Sequence, residues 1–276
     1  MNEKIYDLIF FNFIKKNMVL KDIIDVIEKW APVEHAEDFD NVGLLVGDPK
    51  KNVTKALITI DTLENVIDEA IENKCDLIIS FHPIIFTGLK KLTQETYVER
   101  VVTKAILNDI NIFSIHTNLD NHPKGVNYEI SKKLSLSNTE ILIKKDDSKI
   151  GMGMIGELKN SLNELEFLNY LKERMDVTAI KHSSFLNKKI QKVAVLGGSG
   201  SFAIEQAIEN NADCFITADL KYHDYFKAEN KILLVDIGHY ESEQYTKNLI
   251  LNLLNKKIPK FACIISKSKT NPVNYF

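Results

Sequence analysis

Two histidine–carboxylate pairs of identical spacing, His116-x-x-x-Asp120 and His239-x-x-x-Glu243, stand out as residues that could do chemistry. Each lies just past an apolar run, as do His82, His122, Asp219, His223 and Glu241. Imidazole nitrogens and carboxylate oxygens without thiolates suit Zn, Mn, Fe, Co or Ni. A carboxylate can also bridge two cations about 3.5–4 Å apart, as in dinuclear hydrolytic sites. Taken singly, any of these residues reads more simply as a helix cap or a loop tie. Their grouping at equivalent places in two stretches of chain favours a ligand set. His35 and His182 have no such company and are read as structural.

Other motifs lie near the same strand ends. Gly197-Gly198-Ser199-Gly200 falls between a strand and a helix, where backbone N–H groups can hold phosphate. A tight turn with a close backbone approach explains the same glycines. TADLKYHD (217–224) adds Asp219, Lys221 and His223 as pocket residues that could hold a phosphate or move protons, or else cap a helix on a solvated face. Gly151-Met-Gly153-Met-Ile-Gly156 spells a dinucleotide fingerprint, but that motif must open a helix. Here the next helix is expected at Ser161, with Glu164 completing a capping box, so the match is a decoy.

The elements that position these residues alternate. Residues 19–30 have helical spacing and Pro32 follows as a stop; 35–49 is an Asp-, Asn- and Gly-rich loop. The strands ALITI, DLIIS and NIFSI alternate with helices, and VAVLG, DCFIT and KILLVDI repeat the recipe before a helix from about Glu241. Apolar strands joined by helices imply an α/β fold with mostly parallel sheets. Residues 66–82 and 203–219 align without gaps at an offset of 137, with seven of 17 positions identical. This suggests two related halves, about 18–138 and 151–276, with a metal site at strand carboxyl ends between them, where ligands of open α/β sheets gather.

Composition narrows the function. The 276 residues are 45% hydrophobic with a net charge of −3, as in a globular protein with ample core. Arg100 and Arg174 are the only arginines, which argues against a dedicated nucleic-acid binder. Three cysteines without C-x-x-C fit a reducing, cytoplasmic setting. LIFFNFI (8–14) is too short to span a membrane, and residues 1–17 are read as an extension or a misassigned start.

DFDNVGLLVGDP, SFHPIIF, HTNLDN, GGSGS, TADLKYHD and DIGHYESEQ occur in this order from about Met18 to the TNPVNYF tail. Together they resemble the NIF-three-like proteins, also called the dinuclear metal centre or GTP cyclohydrolase 1 type 2 homologue family. The resemblance implies two metal ions held by a His-His pair, an H-x-x-L-D aspartate and a late His-x-x-x-Glu. Carried over, the ligands are His82, Asp120, His239 and Glu243. The first histidine of the pair falls on Phe81, which cannot ligate, so one ion is supported and the second loses a nitrogen donor. The resemblance further implies a short form without an inserted domain, and a ring-shaped homohexamer. The expected function is a metal-dependent hydrolase acting on a phosphorylated or nucleotide- or pterin-like small molecule, with Glu241 or His116 as base. The alternative is a non-catalytic metal-binding, metal-insertion or assembly-platform protein.

Overall fold

The computed structural model describes residues 18–145 and 149–276; the expected extension, residues 1–17, lies outside them. Two compact units interleave along the chain. Within the described residues, the first comprises 18–33, 41–115 and 250–270, and the second 34–40, 116–249 and 271–276. Compactness thus partitions the chain differently from the sequence repeat.

In the first unit, β1 (Met18–Val19) pairs with β3 (Asn52–Val53) in a two-stranded ribbon. The main sheet contains β2 (Gly43–Val46), β4 (Lys55–Thr59), β5 (Leu77–Ser80), β6 (Asn111–Ser114) and β13 (Ala262–Ile265), in the order β13-β4-β5-β6-β2. All neighbours are parallel except β2, which runs antiparallel on β6. LIIS of β5 and NIFS of β6 are buried at every position, as strands covered on both faces must be. Its helices include α1 (Leu20–Glu28), α2 (Glu64–Glu72) and α3 (Tyr97–Leu107). Val66, Ile67 and Ala70 of α2 join Val101, Val102 and Ala105 of α3 in one core with Leu57, Ile78 and Ile112.

The second unit carries β7 (Ser137–Lys144), β8 (Gly151–Asn163), β9 (Lys181–His182), β10 (Lys189–Ser199), β11 (Cys214–Ala218) and β12 (Leu233–Asp236), in the order β7-β8-β10-β11-β12-β9. Its helices are α4 (Thr117–Asp120), α5 (Val126–Lys133), α6 (Glu164–Met175), α7 (Ile204–Glu209) and α8 (His239–Glu243); α9 (Thr246–Lys257) follows α8. The α/β class expected from the alternation holds. This sheet, however, is mixed rather than mostly parallel: only β10-β11-β12 run parallel, flanked by antiparallel β7, β8 and β9. The decoy G-x-G-x-x-G lies inside β8 and opens no helix. The expected start of α6 also moves. Residues 161–163 stay extended because β8 pairs through Asn163 with Lys189. Asn163 becomes the N-cap, accepting from Glu166 N at 2.9 Å, while Glu166 accepts from Asn163 N at 3.0 Å. The displaced Glu164 accepts instead from Leu186 N and Asn187 N at 2.7 and 3.0 Å.

The offset of 137 reappears in register. Ala56, Leu57 and Ile58 pair with Leu77, Ile78 and Ile79; Val193, Ala194 and Val195 pair with Cys214, Phe215 and Ile216. Asp76 accepts from the amides of Thr54 and Lys55, and Asp213 from those of Gln191 and Lys192. Asn73 and Asn210 each cap their helix through Nδ2 at 2.8 Å. These ties are consistent with an internal duplication and give a physical reason for the identical residues. Among the described residues, no helix is long and apolar enough to cross a membrane.

Candidate metal centre

The second unit assembles its polar cluster at the ends of three parallel strands. Strand β12 stops at Asp236, whose carboxylate, 1% exposed, binds Gly238 N at 3.0 Å, Leu220 N at 3.1 Å and Lys181 Nζ at 2.7 Å. One buried carboxylate therefore fixes both the turn into α8 and the loop after β11. The residue preceding Leu220 is Asp219, held in the left-handed region at φ 57°. Its Oδ2 accepts from the Ser199 hydroxyl and from His239 Nδ1, the latter at 2.7 Å. Burial alone would raise the Asp219 pKa, but the bonds from Ser199 and His239 outweigh it and the carboxyl titrates below its usual range.

A proton on Nδ1, facing the Asp219 carboxylate, leaves Nε2 as the nitrogen that can offer a lone pair to a cation. That nitrogen lies 3.2 Å from Glu243 Oε2, one helical turn on, and Glu243 is 3% exposed. The i,i+4 spacing on α8 places imidazole and carboxylate on one face. His239 and Glu243 belong to a His/Glu group whose nitrogen and oxygen donors fit a divalent ion, and the aspartate behind His239 is the outer partner that a ligating imidazole commonly has.

The glycine turn serves this pair. Gly198 has φ +68°, and a Cβ there would overlap Glu243 Oε1 and come within 3.3 Å of His239 Nε2. Its amide donates to Ser242 Oγ at 2.9 Å, and Gly197 N donates to Asn127 Oδ1 at 2.9 Å. Those two amides are spent on protein groups, so close approach accounts for the glycines better than a phosphate cradle does. Asn127 is buried, and its Nδ2 donates to Asp120 O at 3.3 Å. One side chain thereby ties the Asp120 turn to the glycine turn.

Asp120 closes the four-residue helix α4, which starts after His116. Asp40 sets that start, accepting from His116 Nδ1 at 2.9 Å, Thr117 N at 3.0 Å and Thr117 Oγ1 at 2.5 Å. Burial opposes ionisation of Asp40, yet these donors pull its pKa down to about 2. His122 accepts from Lys124 N at 3.0 Å; burial, with His35 and Lys124 nearby, lowers its pKa.

In the first unit, His82 follows β5, and its Nδ1 lies 2.8 Å from Asp61 Oδ1. Phe81 beside it is fully buried, and its carbonyl accepts from Ser114 Oγ at 3.0 Å. Three histidines thus share one device, an aspartate on Nδ1.

The remaining expected residues have other engagements. Glu241 is buried, and its Oε1 accepts from Asn271 Nδ2 at 2.9 Å. Lys221 N donates to Asp224 Oδ2 at 3.0 Å, capping the 3₁₀ turn Tyr222–Ala228. His223 packs against the Tyr222 and Phe226 rings at 5.2 and 6.0 Å. Sequence reasoning missed Asp40, Asp61, Asn127 and Asp236. A usable signal existed for Asp40, in DFDN, and for Asp61, immediately past a strand end.

Comparison with known proteins agrees with this architecture. The model of the family Duf34/NIF3 (NGG1p interacting factor 3) matches residues 18–272. A protein of Clostridium perfringens called GTP cyclohydrolase 1 type 2 homolog is 40% identical over 230 residues, covering 82% of this chain and 87% of its own length. Its namesake from Clostridium acetobutylicum is 37% identical over 232 residues, with 82% and 86% covered. The crystal structure of a Staphylococcus aureus hypothetical protein superposes with a TM-score of 0.88 at 29% identity, covering 95% of this chain and 100% of that one. The chain belongs to the Duf34/NIF3 family.

Proposed function

We propose that the protein binds one divalent cation through His82, Asp120, His239 and Glu243, and that it hydrolyses a phosphorylated or nucleotide- or pterin-like small molecule. The observation that carries this reading is the Asp219–His239–Glu243 array, an oriented imidazole facing a buried carboxylate. When bound, such an ion supplies Lewis acidity and lowers the pKa of water toward neutrality. Asp219 and Asp61 hold His239 and His82 in the tautomer with the lone pair on Nε2. His116, oriented by Asp40, is the base we favour, able to take up a proton at Nε2. Glu241 is less suited, because its carboxylate is engaged by Asn271. The names of the clostridial relatives place a nucleotide among the substrates to test first.

Phe81 favours a second reading. A buried phenyl at the place of a ligand leaves one ion, which suits a metal-binding, metal-insertion or platform protein as well as a catalyst. Under either reading we expect a cytoplasmic homohexamer that binds neither membrane nor nucleic acid.

Elemental analysis of purified wild type and His239→Ala tests the centre: metal should be present in the first and lost from the second. Equal content would reject it. A screen of phosphoesters, nucleotides and pterins then separates the readings. Turnover abolished in Glu243→Ala supports the hydrolase, whereas tight, exchangeable metal without turnover supports the binder.

A further inference from the structure

Helix α8 carries His239 and Glu243 on only five residues. So short a helix does not hold its own register in water and needs outside ties. Some come from Asp236 and Ser242. Another comes from the chain's last residues. Asn271 Nδ2 donates to Glu241 Oε1 at 2.9 Å, and the Tyr275 hydroxyl hydrogen-bonds the same carboxylate. Glu241 lies midway between the two ligands and is buried. Gly238, at φ +90°, makes room for this contact: a Cβ there would overlap Glu241 Oε2 and lie 2.7 Å from the Tyr275 hydroxyl. Asn271 Oδ1 also accepts from Val273 N at 3.0 Å, turning the tail back on itself over the helix. A buried carboxylate deprived of both donors would lose the groups that compensate its desolvation.

From these contacts we infer that residues 271–275 form a strap that positions His239 and Glu243 by gripping Glu241. Asn271 and Tyr275 are positioning residues, and the inference rests on the metal centre proposed above. It gives the buried Glu241 a role that needs no contact with substrate.

The test compares the full-length chain carrying Asn271→Ala and Tyr275→Phe with wild type and with Val273→Ala, a control at a residue 55% exposed. Zinc affinity is measured by competition titration, and hydrogen exchange of residues 239–243 is followed in metal-free protein. The double variant should bind zinc about tenfold more weakly, the loss typical of removing an outer tie to a ligand. Its α8 amides should exchange faster, while Val273→Ala matches wild type in both. Unchanged affinity, or weaker binding without faster exchange, overturns the strap. If wild type binds no zinc, the metal centre itself fails and exchange alone decides: faster exchange in the variant keeps the strap, unchanged exchange rejects it. Should the double variant not fold, Tyr275→Phe alone is read by the same two measurements.

Discussion

Asp76 and Asp213 do the same work in the two units, whereas Asp61 and Gly198, also 137 residues apart, do opposite work. Each aspartate of the first pair staples the start of one parallel strand through two backbone amides. In the second pair, Asp61 reaches forward to hold His82, while Gly198 withdraws so that Glu243 and His239 can approach. The same inversion separates His82 from its counterpart Asp219: one is an imidazole held by a carboxylate, the other a carboxylate holding an imidazole. The strands and their ties repeat, and the strand ends diverge. Backbone ties are bound to the sheet's geometry, whereas residues past the carboxyl ends are constrained only by what they hold.

The largest effect should come from breaking the shared part. Asp76→Ala and Asp213→Ala each remove charge-assisted bonds to two amides and should each cost about 3 kcal/mol in denaturant unfolding. A gap of more than about 2 kcal/mol between them would mean that the two staples are not equivalent. The divergent part comes next. Gly198→Ala should cost about 2 kcal/mol or more, because the added methyl meets Glu243 in a backbone conformation that favours glycine. Asp61→Ala, at the equivalent place, should cost about 1 kcal/mol, the loss of one hydrogen bond. Equal costs would erase the contrast. Asp219→Asn should weaken metal binding about tenfold in competition titrations while leaving unfolding nearly unchanged.

The last effect is acid-linked. Asp40 is held at about 2 in the folded chain, below the usual aspartate value, so its ionised form stabilises the fold above about pH 4. That contribution fades as pH falls from about 4 through about 2, where the folded form is protonated. Urea midpoints at pH 5 and pH 2.5 should fall further apart in wild type than in Asp40→Asn. Equal spacing would remove Asp40 from the account.

Much of this was legible in the residues themselves. Period and apolar runs marked the parallel strands, and Asn73/Asn210 and Asp76/Asp213 marked the repeat because local caps and staples depend on near neighbours. The His-x-x-x-carboxylate pair was legible because α8 carries both members on one face. What escaped was set by distant partners. The thirteen residues of β8 mix glycines with polar side chains and show no clean alternation; pairing with β7 and β10 makes them a strand. Asp40, in a loop, and Asp236, at the end of β12, are by type two acids among many, and only the fold shows which reach a histidine or a turn. Ser161 was a plausible cap until Asn163, held in register opposite Lys189, took the place.

The aspartate behind each of His82, His116 and His239 has a spectroscopic consequence. A proton on Nδ1 shared with a carboxylate is strongly deshielded, so each dyad supplies a natural reporter in the far-downfield proton spectrum. The three should be separable, because their carboxylates differ in exposure: Asp40 is sealed from solvent, Asp61 is 29% exposed and Asp219 51%. Titrating metal into the protein and watching which of the three resonances moves would register each imidazole's involvement one at a time, without a single substitution.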